Sequence, residues 1–206
     1  MSASSQLTIL YYSATGHTYQ LAQAMQDEAE RLGAAVRLRK VRETVPLETI
    51  RTNPAWLRHV EQTYAVAEAT LDDLDWADAL LLGTPTRFGG PAAQLKAFLD
   101  ATGPLWAQGR LAGKTAGCFT SAGNPHGGQE STLLALSNVF YHWGCYLIPP
   151  GYTDPAGTAA GGNPYGTSLT ASREGIVPAE ALAAARAQCR RQLDVTQRLA
   201  AARPAG

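Results

Sequence analysis

An α/β fold is predicted by three features of the sequence: a three-layer sandwich whose five-stranded parallel sheet, of order 2-1-3-4-5, carries helices on both faces. Five short apolar runs alternate along the chain with stretches of helical periodicity. The run "ADALLLGTP" is apolar without alternation, as a strand is when its sheet is covered on both sides. Segments rich in Gly, Ser, Thr or Asn follow the first, third and fourth runs. Parallel neighbours need crossovers, and right-handed crossovers place helices on both faces.

The first strand is "QLTILYY". "TYQLAQAMQDEAERLG" follows as a helix, with Leu21, Met25, Ala29 and Leu32 on one face and Gly33 as its stop. "AAVRLRKV" is the second strand. Residues from about 43 to 75, with Pro46, Pro54, Trp56 and Tyr64, read as a connection containing short helices. "ADALLLGTP" is the third strand, and "PAAQLKAFLDATG" a helix with Pro91 at its start. "KTAGCFTS" is the fourth strand, "QESTLLALSNVFYHWG" a helix and "CYLIPP" the fifth strand. A Gly/Pro-rich loop over about 151–177 leads to the closing helix "PAEALAAARAQCRRQLDVTQRLAA", and the tail "ARPAG" is expected to fray. The whole chain, 1–206, reads as a single domain.

Composition narrows the function classes. With 206 residues, 45% apolar and 17% charged, the chain can bury a sizeable core. Seventeen basic residues balance seventeen acidic ones, so no net field favours nucleic acid or an anionic membrane. "MSASSQ" has no basic n-region and no window approaches a membrane span, so a cytoplasmic location without membrane insertion is expected. Cys118, Cys145 and Cys189 are too widely spaced for a metal knuckle and odd in number, which suits reduced thiols; no metal site is expected.

In a sheet of this order ligands bind beyond the carboxyl ends of the strands, between strands one and three. "SATGHT", "TPTRFGGP" and "TSAGNPHGGQE" should meet there. The hydroxyls of the first loop have two readings: a helix cap, or an anion site. With neither G-x-x-x-x-G-K-[ST] nor G-x-G-x-x-G present, the anion would be a single terminal phosphate. Ser13, Thr15 and Thr18 would wrap it together with the first-turn N–H groups, and Gly16 would let the backbone approach.

Taken together, "YYSATGHT", "GTPTRFGG", "LKAFLDATGPLWAQGRLAGK", "FTSAGNPHGGQE" and "GGNPYGTS" resemble the WrbA-type NAD(P)H:quinone oxidoreductases, FMN proteins of flavodoxin-like fold. The likeness runs from about Leu7 to the last helix, and "GTPTRFG" and "GPLWAQG" set it apart from generic flavodoxins. It implies that Ser13, Ala14, Thr15, Gly16, His17 and Thr18 hold the FMN phosphate, and that Pro85, Thr86, Arg87, Phe88 and Gly89 line the isoalloxazine. Ser121, Ala122, Gly123, Asn124, Pro125, His126 and Gly127 would follow the other flavin edge. Trp106 would roof the substrate slot, with Thr15 and Tyr165 beside it, and His142 would reach the flavin around a subunit contact. The chain departs from the family where Thr15 replaces a tyrosine of the first loop, and where Pro125 and His126 stand in a slightly longer fourth-strand loop.

The resemblance further implies a two-electron, ping-pong reduction of quinones by NADH or NADPH, in a homotetramer whose active sites lie near subunit contacts. A one-electron carrier of flavodoxin type would be shorter and strongly acidic. A non-catalytic FMN-binding regulator of transcription would need a basic recognition element that is absent here. The four basic residues Arg37, Arg39, Lys40 and Arg42 sit near strand two, away from the expected nucleotide site.

Overall fold

The computed structural model describes residues 4–172 and 174–202, so the last four residues of the "ARPAG" tail lie outside the described residues. In chain order the elements are β1 (Gln6–Tyr11), α1 (His17–Arg31), β2 (Ala35–Lys40), α2 (Leu47–Ile50), α3 (Pro54–Gln62), α4 (Leu71–Trp76), β3 (Ala79–Arg87), β4 (Gly90–Pro91), α5 (Ala93–Asp100), α6 (Gly103–Ala107), β5 (Thr115–Ala122), α7 (Gln129–Trp143), β6 (Tyr146–Leu147), α8 (Pro155–Ala159), β7 (Thr167–Thr170) and α9 (Ala179–Ala202). The main path of the sheet is β2-β1-β3-β5-β6, all parallel, which is the predicted order of five strands. Two short strands were not anticipated: β4 pairs antiparallel with β3, and β7 pairs parallel with β5.

Period-two alternation sorts the central strands between two cores. Leu7 and Ile9 join Leu21 and Met25 of α1 and Cys189 and Leu193 of α9. Leu10, Leu80 and Leu82 join Leu95 of α5 and Leu133 and Phe140 of α7 on the other face. Each large apolar side chain so buried contributes about 1.5–3 kcal/mol. Gly83 leaves room for Phe119, since a Cβ there would come within 2.2 Å of the ring.

Two boundaries depart from the reading of the sequence. Pro91 does not open a helix; it pairs with Thr86 in a β3–β4 hairpin whose turn is Phe88 and Gly89, both left-handed at φ 52° and 80°. The fifth strand is split. Tyr146 and Leu147 pair with Thr115 and Ala116, residues 148–166 leave the sheet past Pro149 and Pro150, and β7 returns to pair with Phe119–Ala122. Prolines lack the N–H that a ladder needs. Buried Gln188 of α9 fills the gap: its Nε2 donates to the Cys118 carbonyl at 2.9 Å and its Oε1 accepts from Thr167 N–H at 2.8 Å. The irregular connection of about 43–75 contains short helices as expected: α2, α3 and α4.

The basic cluster near β2 has structural partners. Arg37 and Arg39 bind Asp73, Arg42 binds Glu68, and Lys40 Nζ donates to the Thr63 carbonyl. Cys118 and Cys189 are buried and Cys145 half-buried, all free, and burial pushes their thiols up to about 12, 12 and 11.

Candidate functional site

Between β1 and α1 the chain turns through Ser13 and Gly16, the latter left-handed at φ 95° and acting as N-cap without any side-chain capping bond. Ser13 Oγ accepts from Gly16 N–H at 3.1 Å, and Thr18 Oγ1 lies 3.0 Å from Ser121 Oγ. Ser13 and Thr18 are only 8% and 1% exposed. The first α1 closure onto the loop is Gln20 N–H to the Gly16 carbonyl, and among the described residues no backbone carbonyl accepts from His17, Thr18 or Tyr19 N–H. The helix is therefore uncapped, with hydroxyls and open N–H groups gathered at the positive end of its dipole. No Lys or Arg stands in this loop. The donor set fits a phosphate monoester held by neutral groups.

The carboxyl ends of β1, β3 and β5 bring three of the expected segments together around a cleft of about 280 Å³. Ser13, Ala14, Thr15, His17 and Thr18 line it from the first loop, Pro85, Thr86 and Arg87 from β3, and Ser121, Ala122 and Gly123 from β5. The second and third loops are also tied to each other. Thr132 Oγ1 donates to Thr86 Oγ1 at 2.7 Å, and Ser131 Oγ donates to the Gly89 carbonyl at 2.9 Å. A Cβ on Gly128 would stand 2.7 Å from Gly89 Cα, so glycine there permits the close approach. Phe88 is fully exposed at the hairpin tip. Asn124, Pro125 and His126 are exposed, and the Gln129 amide braces their loop by donating to the Asn124 carbonyl and accepting from Gly127 N–H.

Two histidines border the first loop. His17 has Nδ1 3.2 Å from Thr15 Oγ1 and Nε2 3.1 Å from the Ser172 carbonyl; burial lowers its pKa, partly offset by that carbonyl. His59, on α3, is buried with its ring 5.5 Å from that of Tyr19. Among the described residues its Nδ1 has no hydrogen-bond partner; it faces Gly16, where a Cβ would come within 3.5 Å. Burial, reinforced by Lys40, pushes this imidazole down to about 4, so it is neutral at pH 7.

The remaining expected residues lie elsewhere in the single chain. Trp106 Nε1 donates to the His142 carbonyl at 2.9 Å, so the structure brings these two together. They sit towards the amino ends of the strands, because α5 and α7 have by then carried the chain back from the carboxyl ends; nearby, Arg110 binds Asp75 just before β3. Tyr165 flanks the middle of β5, where Cys118 Sγ approaches its carbonyl at 4.0 Å. Conversely, Asn53, Trp56 and Ala171 line the cleft without having been expected there. Asn53-Pro54 is a helix-start signal that could have marked the beginning of α3, but nothing local places that helix beside the first loop. Among the described residues no His/Cys/Asp/Glu group could hold a metal ion, and no helix is long and apolar enough to cross a membrane.

Residues 8–157 match the family of NADPH-dependent FMN reductases. An NAD(P)H dehydrogenase (quinone) of Deinococcus radiodurans is 46% identical over 199 residues, covering 97% of this chain and 99% of that protein. Another, of Geobacter sulfurreducens, is 40% identical, with 93% and 97% covered. A flavodoxin, WrbA-like protein from Agrobacterium tumefaciens superposes with a TM-score of 0.65 at 25% identity, over 95% of this chain and 99% of that one.

Proposed function

Because this chain belongs to the NADPH-dependent FMN reductase family, among its NAD(P)H dehydrogenase (quinone) members, we propose that the cleft holds FMN by its phosphate and serves a ping-pong, two-electron reduction of quinones by NAD(P)H. FMN held in this cleft would supply the hydride chemistry between NAD(P)H and quinone. The residues supply binding and orientation. Ser13, Thr15 and Thr18 donate hydroxyls to the phosphate, alongside the open N–H groups of His17, Thr18 and Tyr19. His17 and His59, whose pKa values burial lowers, border that loop. Thr86, Arg87 and the Phe88–Gly89 turn present one side of the ring site, and Ser121 to Gly127 the other. The cross-bond between Thr132 and Thr86 keeps these two loops in register.

Trp106 and His142 complete the substrate slot from a neighbouring subunit of a homotetramer, which is the arrangement their meeting point at the far end of the sheet supports. The observation that carries the reading is the uncapped, hydroxyl-rich start of α1 at the switch point of the sheet. Anaerobic addition of NADH to the FMN-loaded protein tests it. Complete bleaching in one phase without a long-wavelength band, reversed by one equivalent of quinone, is expected. A protein that NADH does not reduce would instead be a carrier or a binder.

A further inference from the structure

Trp56 is the one large aromatic side chain among the residues that line the cleft, and it comes from α3, outside the three carboxyl-end loops. Its position is determined from both ends. Asn53 caps α3, with Oδ1 accepting from Ala55 and Trp56 N–H at 3.1 and 3.2 Å, and Pro54 presets the first turn. The indole Nε1 donates to Glu43 Oε2 at 3.1 Å. That carboxylate is a hub: Oε2 also accepts from Tyr12 Oη at 2.9 Å, and Oε1 accepts from Gln94 Nε2 at 2.9 Å and from the N–H groups of Thr44 and Val45. Burial works against its charge, yet these donors hold the carboxyl below its ordinary range. Five donors from β1's end, α3, α5 and its own turn leave Glu43 no freedom, and hence Trp56 little.

The phosphate loop already offers hydroxyls and N–H groups to a flavin phosphate. Trp56, partly buried against the core, and Arg87 both line this cleft and add an aromatic ring and a guanidinium to it, the two groups that suit a second planar base bearing phosphates. We propose that Trp56, held by Glu43, is the specificity-determining wall on which the purine of the incoming nicotinamide dinucleotide stacks, with Arg87 facing its diphosphate. Glu43 is then a positioning residue. The inference rests on the quinone-reductase reading of the cleft.

The test uses FMN-loaded Trp56→Leu, Trp56→Phe and Glu43→Gln. Stacking on an aromatic wall is worth about 1–3 kcal/mol per base, so Trp56→Leu is expected to weaken ADP-ribose binding, measured by calorimetry, roughly tenfold. It should raise KM for NADH by a similar factor, while KM for reduced nicotinamide mononucleotide, which lacks the purine, moves less than about twofold. Trp56→Phe, which keeps the packing, should show a smaller loss in the same direction. Glu43→Gln should raise KM for NADH and add nothing further in the Trp56→Leu background. Unchanged ADP-ribose affinity in both Trp56 variants overturns the proposal, as does an equal rise in KM for both donors. A parallel fall in FMN affinity, read by flavin fluorescence, would overturn it too and assign Trp56 to the flavin. If the unaltered holoprotein fails to oxidise NADH, the reductase reading falls, and ADP-ribose binding still decides the role of Trp56.

Discussion

At the scale of single residues, the proposed phosphate site centres on Ser13 and Gly16. Each charge-assisted hydrogen bond to a phosphate contributes roughly 1.5–3 kcal/mol, and a β-branched residue at φ 95° would distort the loop that presents them. The double substitution Ser13→Ala, Gly16→Val is therefore expected to weaken FMN at least tenfold in a fluorescence titration, while riboflavin, which lacks the phosphate, is affected far less. His59 makes a second expectation. Its folded pKa of about 4 lies below the unfolded value near 6.5, so the unfolded chain binds the proton more readily. The stability that this neutral imidazole contributes is complete above pH 6.5 and is lost as pH falls towards 4. The loss should be on the order of 1–3 kcal/mol. Denaturation midpoints measured across that window should fall with pH, and His59→Gln should flatten the decline.

Among the elements, the β3–β4 hairpin and the split edge strand show where local chemistry meets tertiary demand. Phe88 holds φ 52° with its side chain in solvent, so the turn carries left-handed strain with no packing to offset it. Phe88→Gly is expected to raise stability by about 0.5–1 kcal/mol in chemical denaturation, after the entropy that glycine adds to the unfolded chain. If the exposed ring serves the flavin site, the same variant should lose turnover. The edge strand works differently. Its ladder is broken over residues 148–166 and repaired by Gln188 from α9, 70 positions along the chain from Cys118. No periodicity within "CYLIPP" or "YGTSLT" announces that repair, and the sequence accordingly reads the first as a whole strand and the second as loop.

For the whole molecule, Trp106 and His142 meet at one end of the sheet and the three loops at the other. Tyr141 and Tyr146 are exposed near that far end, a surface suited to a subunit contact. A closed tetramer with two-fold axes brings such surfaces together, and a cofactor bound only by the assembled form shifts the equilibrium towards it. Sedimentation at micromolar concentration is expected to show four chains associated, more completely with FMN than without. A fully active monomer would remove Trp106, His142 and Tyr165 from any shared site.

Whatever depends on local order was legible in the sequence: the strand path, because apolar runs and helical periodicity each reflect one face of one element, and the three loops, because Gly16, Thr86 and Ser121 stand where strands end at the switch point. The uncapped state of α1 was not legible, since Ser13 and Thr18 could equally have capped the helix, and only the tertiary structure shows their hydroxyls partnered by Gly16 and Ser121 instead. Nor were Asn53 and Trp56 legible as cleft residues. Their place depends on Glu43 collecting donors from Tyr12, Trp56 and Gln94, which stand as much as 82 positions apart and become neighbours only when the sheet and its helices close around them.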